Sequence, residues 1–310
     1  MDAYLVTGGA GFIGSHLAEE LVKRGGTVRI LDNFLTGKKE NLSSFQGDIE
    51  LIRGDIREPE VCRKAVKGVD YVLHQAALPS VPRSINDPAL ANSINVEGTL
   101  NILTASRDEG VQKFVFASSS SVYGDDPALP KSEGNEGSQL SPYAVTKLAG
   151  EKYCLVFNHV YGLPTACLRY FNVFGPRQDP HSEYAAVIPN FVTKLGEKKA
   201  PVIYGDGEQS RDFTYIADVV EANILAAKST GPGGVFNIGC GSRTTVNALA
   251  GILAKIMNVE IAPVHENERP GDVRHSFADI SRAKKELKYL PRVRLEEGLT
   301  RTVQWFSRQV

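Results

Sequence analysis

The sequence predicts an α/β protein: a doubly wound parallel sheet, followed by a smaller mixed α/β region. Three observations carry that prediction. Apolar runs of strand length alternate with helical periodicity up to about Arg169. The first run, Ala3 to Val6, breaks into glycines, and Ile13, Leu17 and Leu21 then recur at i+4 on one helical face. The second run, Thr27 to Leu31, is followed by Asp32. Strand, glycine turn, helix, strand and acid together make a Rossmann-type dinucleotide-binding unit.

In that unit each glycine has its own task. Gly8 permits the tight turn, Gly11 lets backbone approach a pyrophosphate, and Gly14 lets the helix pack closely. The helix N-terminus offers unpartnered N–H groups and partial positive charge to phosphates. Asp32 is suited to accept both ribose hydroxyls of NAD and to repel a 2′-phosphate.

Further elements follow in order. Asn33 to Lys39 reads as a loop, Ile49–Arg53 as a third strand, and Pro59–Lys67 as a helix. Asp55, after the third strand, either caps an adenine amino group or caps the helix turn. Asp70–His74 is a fourth strand, and the small residues of Gln75-Ala76-Ala77 let a cofactor pass close to backbone. The loop Leu78–Pro88 carries three prolines and leads into a helix from Ala89 to about Asp108. Lys113–Ala117 is a fifth strand running into four serines, Ser118 to Ser121. Ser141 and Pro142 then suit the cap and first position of a helix reaching Tyr161. Beyond Arg169 the pattern loosens, so residues 1–170 are expected to form the dinucleotide-binding domain and 171–310 a second domain. Segments such as 235–239 are expected to return to the main sheet, and Val246–Met257 to be helical with Leu249, Leu253 and Met257 on one face.

The net charge of −1, without long charged runs, gives no footprint for nucleic acid or anionic membrane. There is no apolar stretch of membrane-spanning length and no signal-peptide pattern ahead of the first strand, so a cytoplasmic location is expected. The four cysteines, Cys62, Cys154, Cys167 and Cys240, lack metal-ligand spacing and read as small core residues; no metal site is expected.

Chemistry enters with Tyr143 and Lys147, which share a helix face. A free tyrosine titrates near ~10 and needs a fall of roughly 3 units, about 4 kcal/mol, to act as a base near neutrality. The Lys147 ammonium, with a positive nicotinamide, is expected to supply that in a site partly closed to water. Ser119 sits at the carboxyl end of the fifth strand, where open α/β sheets place ligands, and can bridge substrate and phenol.

These residues make the chain resemble the extended short-chain dehydrogenase/reductases over essentially its full length, and most of all the nucleotide-sugar 4-epimerases. The matching pieces are Gly8-x-x-Gly11-x-x-Gly14, Ser119 with Val122-Tyr123-Gly124, Tyr143-x-x-x-Lys147, Arg169-Tyr-Phe-Asn172, Gly205-Asp-Gly207, Ser210-Arg-Asp-Phe213 and Arg269-Pro-Gly-Asp272. In such enzymes the tyrosine takes the proton of the sugar 4-hydroxyl as hydride passes from C4 to a tightly held NAD⁺. The 4-keto sugar then turns and hydride returns to its other face. The resemblance implies catalysis by Ser119, Tyr143 and Lys147. It implies NAD contacts at Gly8, Gly11, Phe12, Ile13, Gly14, Asp32, Asn33, Thr36, Gly37, Asp55, Ile56, Gln75, Ala76, Ala77, Tyr143, Lys147, Tyr170 and Val173. For the UDP-sugar it implies Ser80, Ser119, Tyr143, Asn172, Ala186, Val187, Arg211, Arg269, Asp272 and Ser276. By residue type alone, Arg211 and Arg269 could equally form surface ion pairs.

Two positions bear on the reaction. Related dehydratases carry Asp-Glu, and related decarboxylases a Glu, where this chain has Ser120 and Ser121, and a serine does not readily move the C5 proton. Ser276 matches a position where tyrosine excludes N-acetylated sugars, so interconversion of UDP-GlcNAc and UDP-GalNAc is expected, with UDP-Glc and UDP-Gal accepted too. Pro79 departs from the glycine of the nearest acetyl-sugar enzymes. The alternatives are a UDP-glucuronate-type epimerase or decarboxylase, and a non-catalytic NAD-binding regulatory protein. The family's dimers imply a homodimer through the helices Ala89–Asp108 and Tyr143–Tyr161, although one subunit could equally cover both.

Overall fold

A computed structural model describes residues 1–180, 186–231, 233–268 and 273–308. Its central sheet has seven parallel strands. β1 (Ala3–Thr7) lies inside it, with β2 (Thr27–Asp32) and β3 (Ile49–Arg53) to one side. On the other side come β4 (Tyr71–His74), β5 (Lys113–Ser119) and β6 (Thr165–Tyr170), and Gly234–Ile238 forms the edge beside β6. Strand order therefore reverses between β1 and β4, and their carboxyl ends diverge into a crevice.

The strands are apolar along their length because both faces are covered. On one face α1 (Phe12–Lys23) packs Leu17 and Leu21 into a core shared with Val6 and Ile30. The other core gathers Leu5, Val72 and Phe116 with Cys62 and Ala65 of α2 (Pro59–Val66).

The proline-rich stretch after β4 differs from expectation, for it folds as helix. Ser80 caps α3 (Val81–Asn86) by accepting from Arg83 N at 3.3 Å, and Asp87 caps α4 (Pro88–Asn92) by accepting from Leu90 N at 2.9 Å. Pro82 and Pro88 fall in first turns, where a missing N–H costs nothing. The expected long helix is interrupted by a π turn, Ser93–Glu97, before α5 (Gly98–Asp108). β5 runs two residues beyond Ala117, so Ser119 ends the strand itself. Ser141 caps α6 (Pro142–Tyr161) by accepting from Ala144 N at 3.2 Å.

After β6 the chain makes short pairings. Val173–Phe174 runs parallel to Thr214–Tyr215, and Ser210–Arg211 lies between Thr244–Thr245 and His275–Ser276. α7 (Val187–Gly196), α8 (Ile216–Lys228), α9 (Val246–Met257) and α10 (Leu295–Phe306) complete the fold, with Leu249 and Leu253 of α9 fully buried. No helix among the described residues is long and apolar enough to cross a membrane.

The glycine turn is where geometry is tightest. Gly8 has φ +66°, and a Cβ on Gly14 would stand 2.2 Å from the Gly8 carbonyl oxygen. Gly14→Ala is therefore expected to cost about 1–3 kcal/mol, as overpacking against backbone does. Equilibrium urea unfolding measures it, and an unchanged midpoint would contradict the packing.

Candidate functional site

A cleft of about 990 Å³ opens at the carboxyl ends of the strands, running from the glycine turn to Tyr143 and Lys147. At its deep end Asp32, 7 % exposed, accepts from Ala10 N at 2.9 Å and Phe34 N at 2.7 Å. Burial raises its pKa, opposed by those two backbone donors. A Cβ on Gly37 would lie 3.0 Å from both Asp32 oxygens, so only glycine lets that loop close over the acid. A cradle of bare backbone beside a buried, rigidly held carboxylate fits the pyrophosphate and ribose of NAD.

Fourteen more of the sequence-predicted residues also line this cleft: Gly11, Phe12, Ile13, Asn33, Thr36, Ile56, Gln75, Ala76, Ala77, Ser80, Tyr143, Lys147, Tyr170 and Ala186. Asp55 is set back from it. Its carboxylate takes a bidentate grip from Arg57 and a bond from Asn33 Nδ2 at 2.8 Å, and the Arg57 bonds hold it down to about 2. Ser119, Val173, Asn172, Val187, Arg211 and Ser276 are not part of the lining, although Ser118 is. Asn172 turns the chain at φ +21° just beyond β6. Arg211 and Ser276 are direct neighbours in strand register, and Arg211 Nη1 donates to the carbonyls of Ser210 and Arg274. Arg269 and Asp272 lie outside the described residues.

At the other end Lys147 Nζ donates to the Ala117 carbonyl at 2.8 Å, 5.0 Å from the Phe116 ring centroid and 5.9 Å from that of Tyr143. Burial pulls the lysine down to about 8, opposed chiefly by the Glu151 charge. Tyr143 keeps part of its surface open, with the Ser119 hydroxyl nearby. Desolvation raises its pKa above the ordinary value, opposed by Ser119. The Tyr143 amide donates to Ser84 Oγ at 3.0 Å, so α3 helps to hold the start of α6.

Sequence reasoning missed the bar across the deep end. Arg177, at φ +65°, donates through Nη2 to Glu19 at 2.5 Å, and Asp179 meets Lys38 at 3.1 Å. Arg177, Gln178, Asp179 and Lys38 all line the cleft. Gly175-Pro176 marks a loop there, but no spacing reveals where that loop lands. Arg83 also lines the cleft and went unassigned.

Glycine cradle, acid-ended second strand and a Ser–Tyr–Lys set at the mouth define a nucleotide-dependent reductase-like site. Residues 4–239 match the family model described as the NAD dependent epimerase/dehydratase family, and the chain belongs to that family. It is 38 % identical over 306 residues to the UDP-glucose 4-epimerase of Mycolicibacterium smegmatis, covering 97 % of each chain. Among solved structures it resembles the UDP-N-acetylglucosamine 4-epimerase from Methanobrevibacter ruminantium in complex with UDP-N-acetylmuramic acid. There the TM-score is 0.96 at 42 % identity, over 100 % of this chain and 99 % of that one. It also resembles the UDP-glucuronic acid 4-epimerase from Bacillus cereus, solved with UDP-glucuronic acid and NAD. That match has a TM-score of 0.92 at 34 % identity, over 99 % and 100 % of the two chains. NAD is the cofactor of this family and its chemistry fits the cleft.

Because Lys147 titrates near 8 when folded and near ~10.4 when unfolded, the unfolded chain binds the extra proton between those values. Its contribution to stability therefore rises with pH from about 8 to about 10.4. The urea midpoint of wild type should rise relative to that of Lys147→Met as pH increases through that window. A constant difference would contradict the depressed lysine.

Proposed function

We propose that the protein is an NAD-dependent UDP-hexose 4-epimerase, acting on UDP-GlcNAc/UDP-GalNAc and also on UDP-Glc/UDP-Gal. The observation that carries this reading is the placing of Tyr143 and Lys147 in the wall of a glycine-lined cleft, with Lys147 buried and held on the Ala117 carbonyl two residues before Ser119. In the reaction Ser119 bridges the sugar 4-hydroxyl and the phenol, and Tyr143 takes and returns that proton. Lys147 supplies positive charge from below, anchored by the Ala117 carbonyl. Bound NAD supplies the hydride acceptor and donor, and its positive ring favours the tyrosinate.

On this reading residues 1–170 hold the cofactor and 171–310 the UDP-sugar, with Asn172, Arg211, Arg269 and Asp272 assigned to the UDP portion. Arginine suits a pyrophosphate because its planar fork makes charge-assisted pairs. Ser276 leaves room for a 2-acetamido group. Ser120 and Ser121, in place of acids, support epimerisation over dehydration. The exposed apolar side chains Val145, Val156 and Val160 on α6 support a homodimer through that helix. A second reading, a UDP-glucuronate epimerase, draws on the likeness to the Bacillus cereus enzyme and on Arg83 in the cleft wall, a partner for a carboxylate.

The test is incubation with UDP-Glc, UDP-GlcNAc and UDP-GlcA without added cofactor, followed by chromatography and release of bound NAD by denaturation. Both neutral sugars should be epimerised. Turnover of UDP-GlcA alone would favour the second reading. Tyr143→Phe should lower kcat by at least about a hundredfold, the scale of a lost general base, with NAD still bound. Wild-type turnover in that variant would rule out the mechanism. Ser276→Tyr should abolish turnover of the acetylated pair and spare the other; equal loss of both would contradict the assignment of Ser276.

A further inference from the structure

One turn beyond Lys147 on α6 lies a buried acid that the proton transfer does not use. Glu151 is 1 % exposed. Its Oε1 accepts from Ser118 Oγ at 2.5 Å and from Arg169 Nε at 2.8 Å, and its Oε2 from Arg169 Nη2 at 2.7 Å. Arg169, also 1 % exposed, pairs with Glu136 as well. Ser118 and Arg169 stand opposite each other in the β5–β6 register. One carboxylate thus ties α6 to two adjacent strands. It does so between the carbonyl that receives Lys147, at Ala117, and the hydroxyl that meets Tyr143, at Ser119.

Stability is a poor reason for such an arrangement. Taking an ion pair out of water costs several kcal/mol per ion, and apolar replacements of equal volume are often as stable. Location is a better one. Lys147 and Glu151 are i,i+4 neighbours. The ionisable groups that bear on the lysine are Tyr143, Glu151 and Cys154 on its own helix, His74 on β4, and Arg169 on β6 behind Glu151. Of these, Glu151 contributes the largest charge effect favouring the ammonium, against a burial that disfavours it.

We propose that Glu151 is a positioning residue for the proton-transfer set. It locks α6 in register with the end of β5, keeping Lys147 a cation against Ala117 and Tyr143 on Ser119. The catalytic part of this inference rests on the epimerase reading; the electrostatic part does not.

Glu151→Gln tests it, because the amide oxygen can still accept from Ser118 and Arg169 while the charge is lost and Glu136 still faces Arg169. In the holoenzyme carrying ¹³C-labelled lysine, NMR follows the Lys147 titration, with Lys147→Met assigning the signal. The midpoint should fall by about one pH unit or more in Glu151→Gln, the scale of removing a close opposite charge, and return toward wild type in Glu151→Asp. The alkaline limb of kcat should move to lower pH by the same amount, with bound NAD unchanged. Ser118→Ala, which removes one tether and keeps the charge, should lower kcat severalfold at an unchanged lysine midpoint. An unmoved lysine midpoint in folded Glu151→Gln overturns the electrostatic role, and wild-type kcat in Ser118→Ala overturns the positioning role. If Glu151→Gln does not fold, the Glu151→Asp midpoint and the Ser118→Ala kcat decide. A wild-type protein that turns over no UDP-sugar defeats the epimerase reading, while the lysine titration still decides for Glu151.

Discussion

The rest of the site depends on how closely α6 lies against the end of β5. Lys147 crosses that gap to the Ala117 carbonyl at 2.8 Å. Such an approach needs a helix without bulk at the contact, and Gly150 provides it: a Cβ there would stand 2.4 Å from Phe116 Cζ. It also needs a helix whose start is fixed. Ser141 caps the first turn, and the Ser84 hydroxyl receives the Tyr143 amide. Burying an ammonium is costly, and here the cost is offset by a carbonyl, a ring face and an acid one turn away. The resulting cation titrates near 8.

Much of this was legible in the sequence because it is local. Gly8, Gly11 and Gly14 follow from a strand running into a helix, Asp32 from the end of the next strand, and Tyr143 with Lys147 from one helical turn. Ser119 is legible as the end of an apolar run. Other parts depend on contacts between distant residues, which no spacing encodes. Glu151, Ser118 and Arg169 meet only when α6, β5 and β6 are assembled. The bar at Arg177 and Asp179 depends on where a loop crosses α1 and the chain after β2. Prolines hid α3, since the same residue that ends one helix can begin another. Val173, Arg211 and Ser276 sit on two-residue strands, too short for periodicity to report which way they face.

The two ends of the cleft are built on different principles. At the glycine turn the walls are backbone, shaped by the absence of side chains, and their geometry is set by clashes of 2–3 Å that any Cβ would bring. At Tyr143 the walls are hydrogen-bonded side chains on a helix and a strand, so position depends on networks reaching back into the core. Over the first end run the ion pairs Arg177–Glu19 and Lys38–Asp179. Partly exposed pairs add little to stability individually, but Lys38, Arg177 and Asp179 also line the cleft. On the epimerase reading, hydride leaves C4 and returns to C4, so the reaction is redox-neutral overall.

That redox balance is the central claim, and isotope tracing tests it most directly. With a UDP-sugar carrying deuterium at C4 and no added cofactor, the account predicts that the 4-epimer retains deuterium at C4 in ordinary water, read by mass spectrometry and NMR. Washout of the label to solvent, or its appearance at another carbon, would contradict the account.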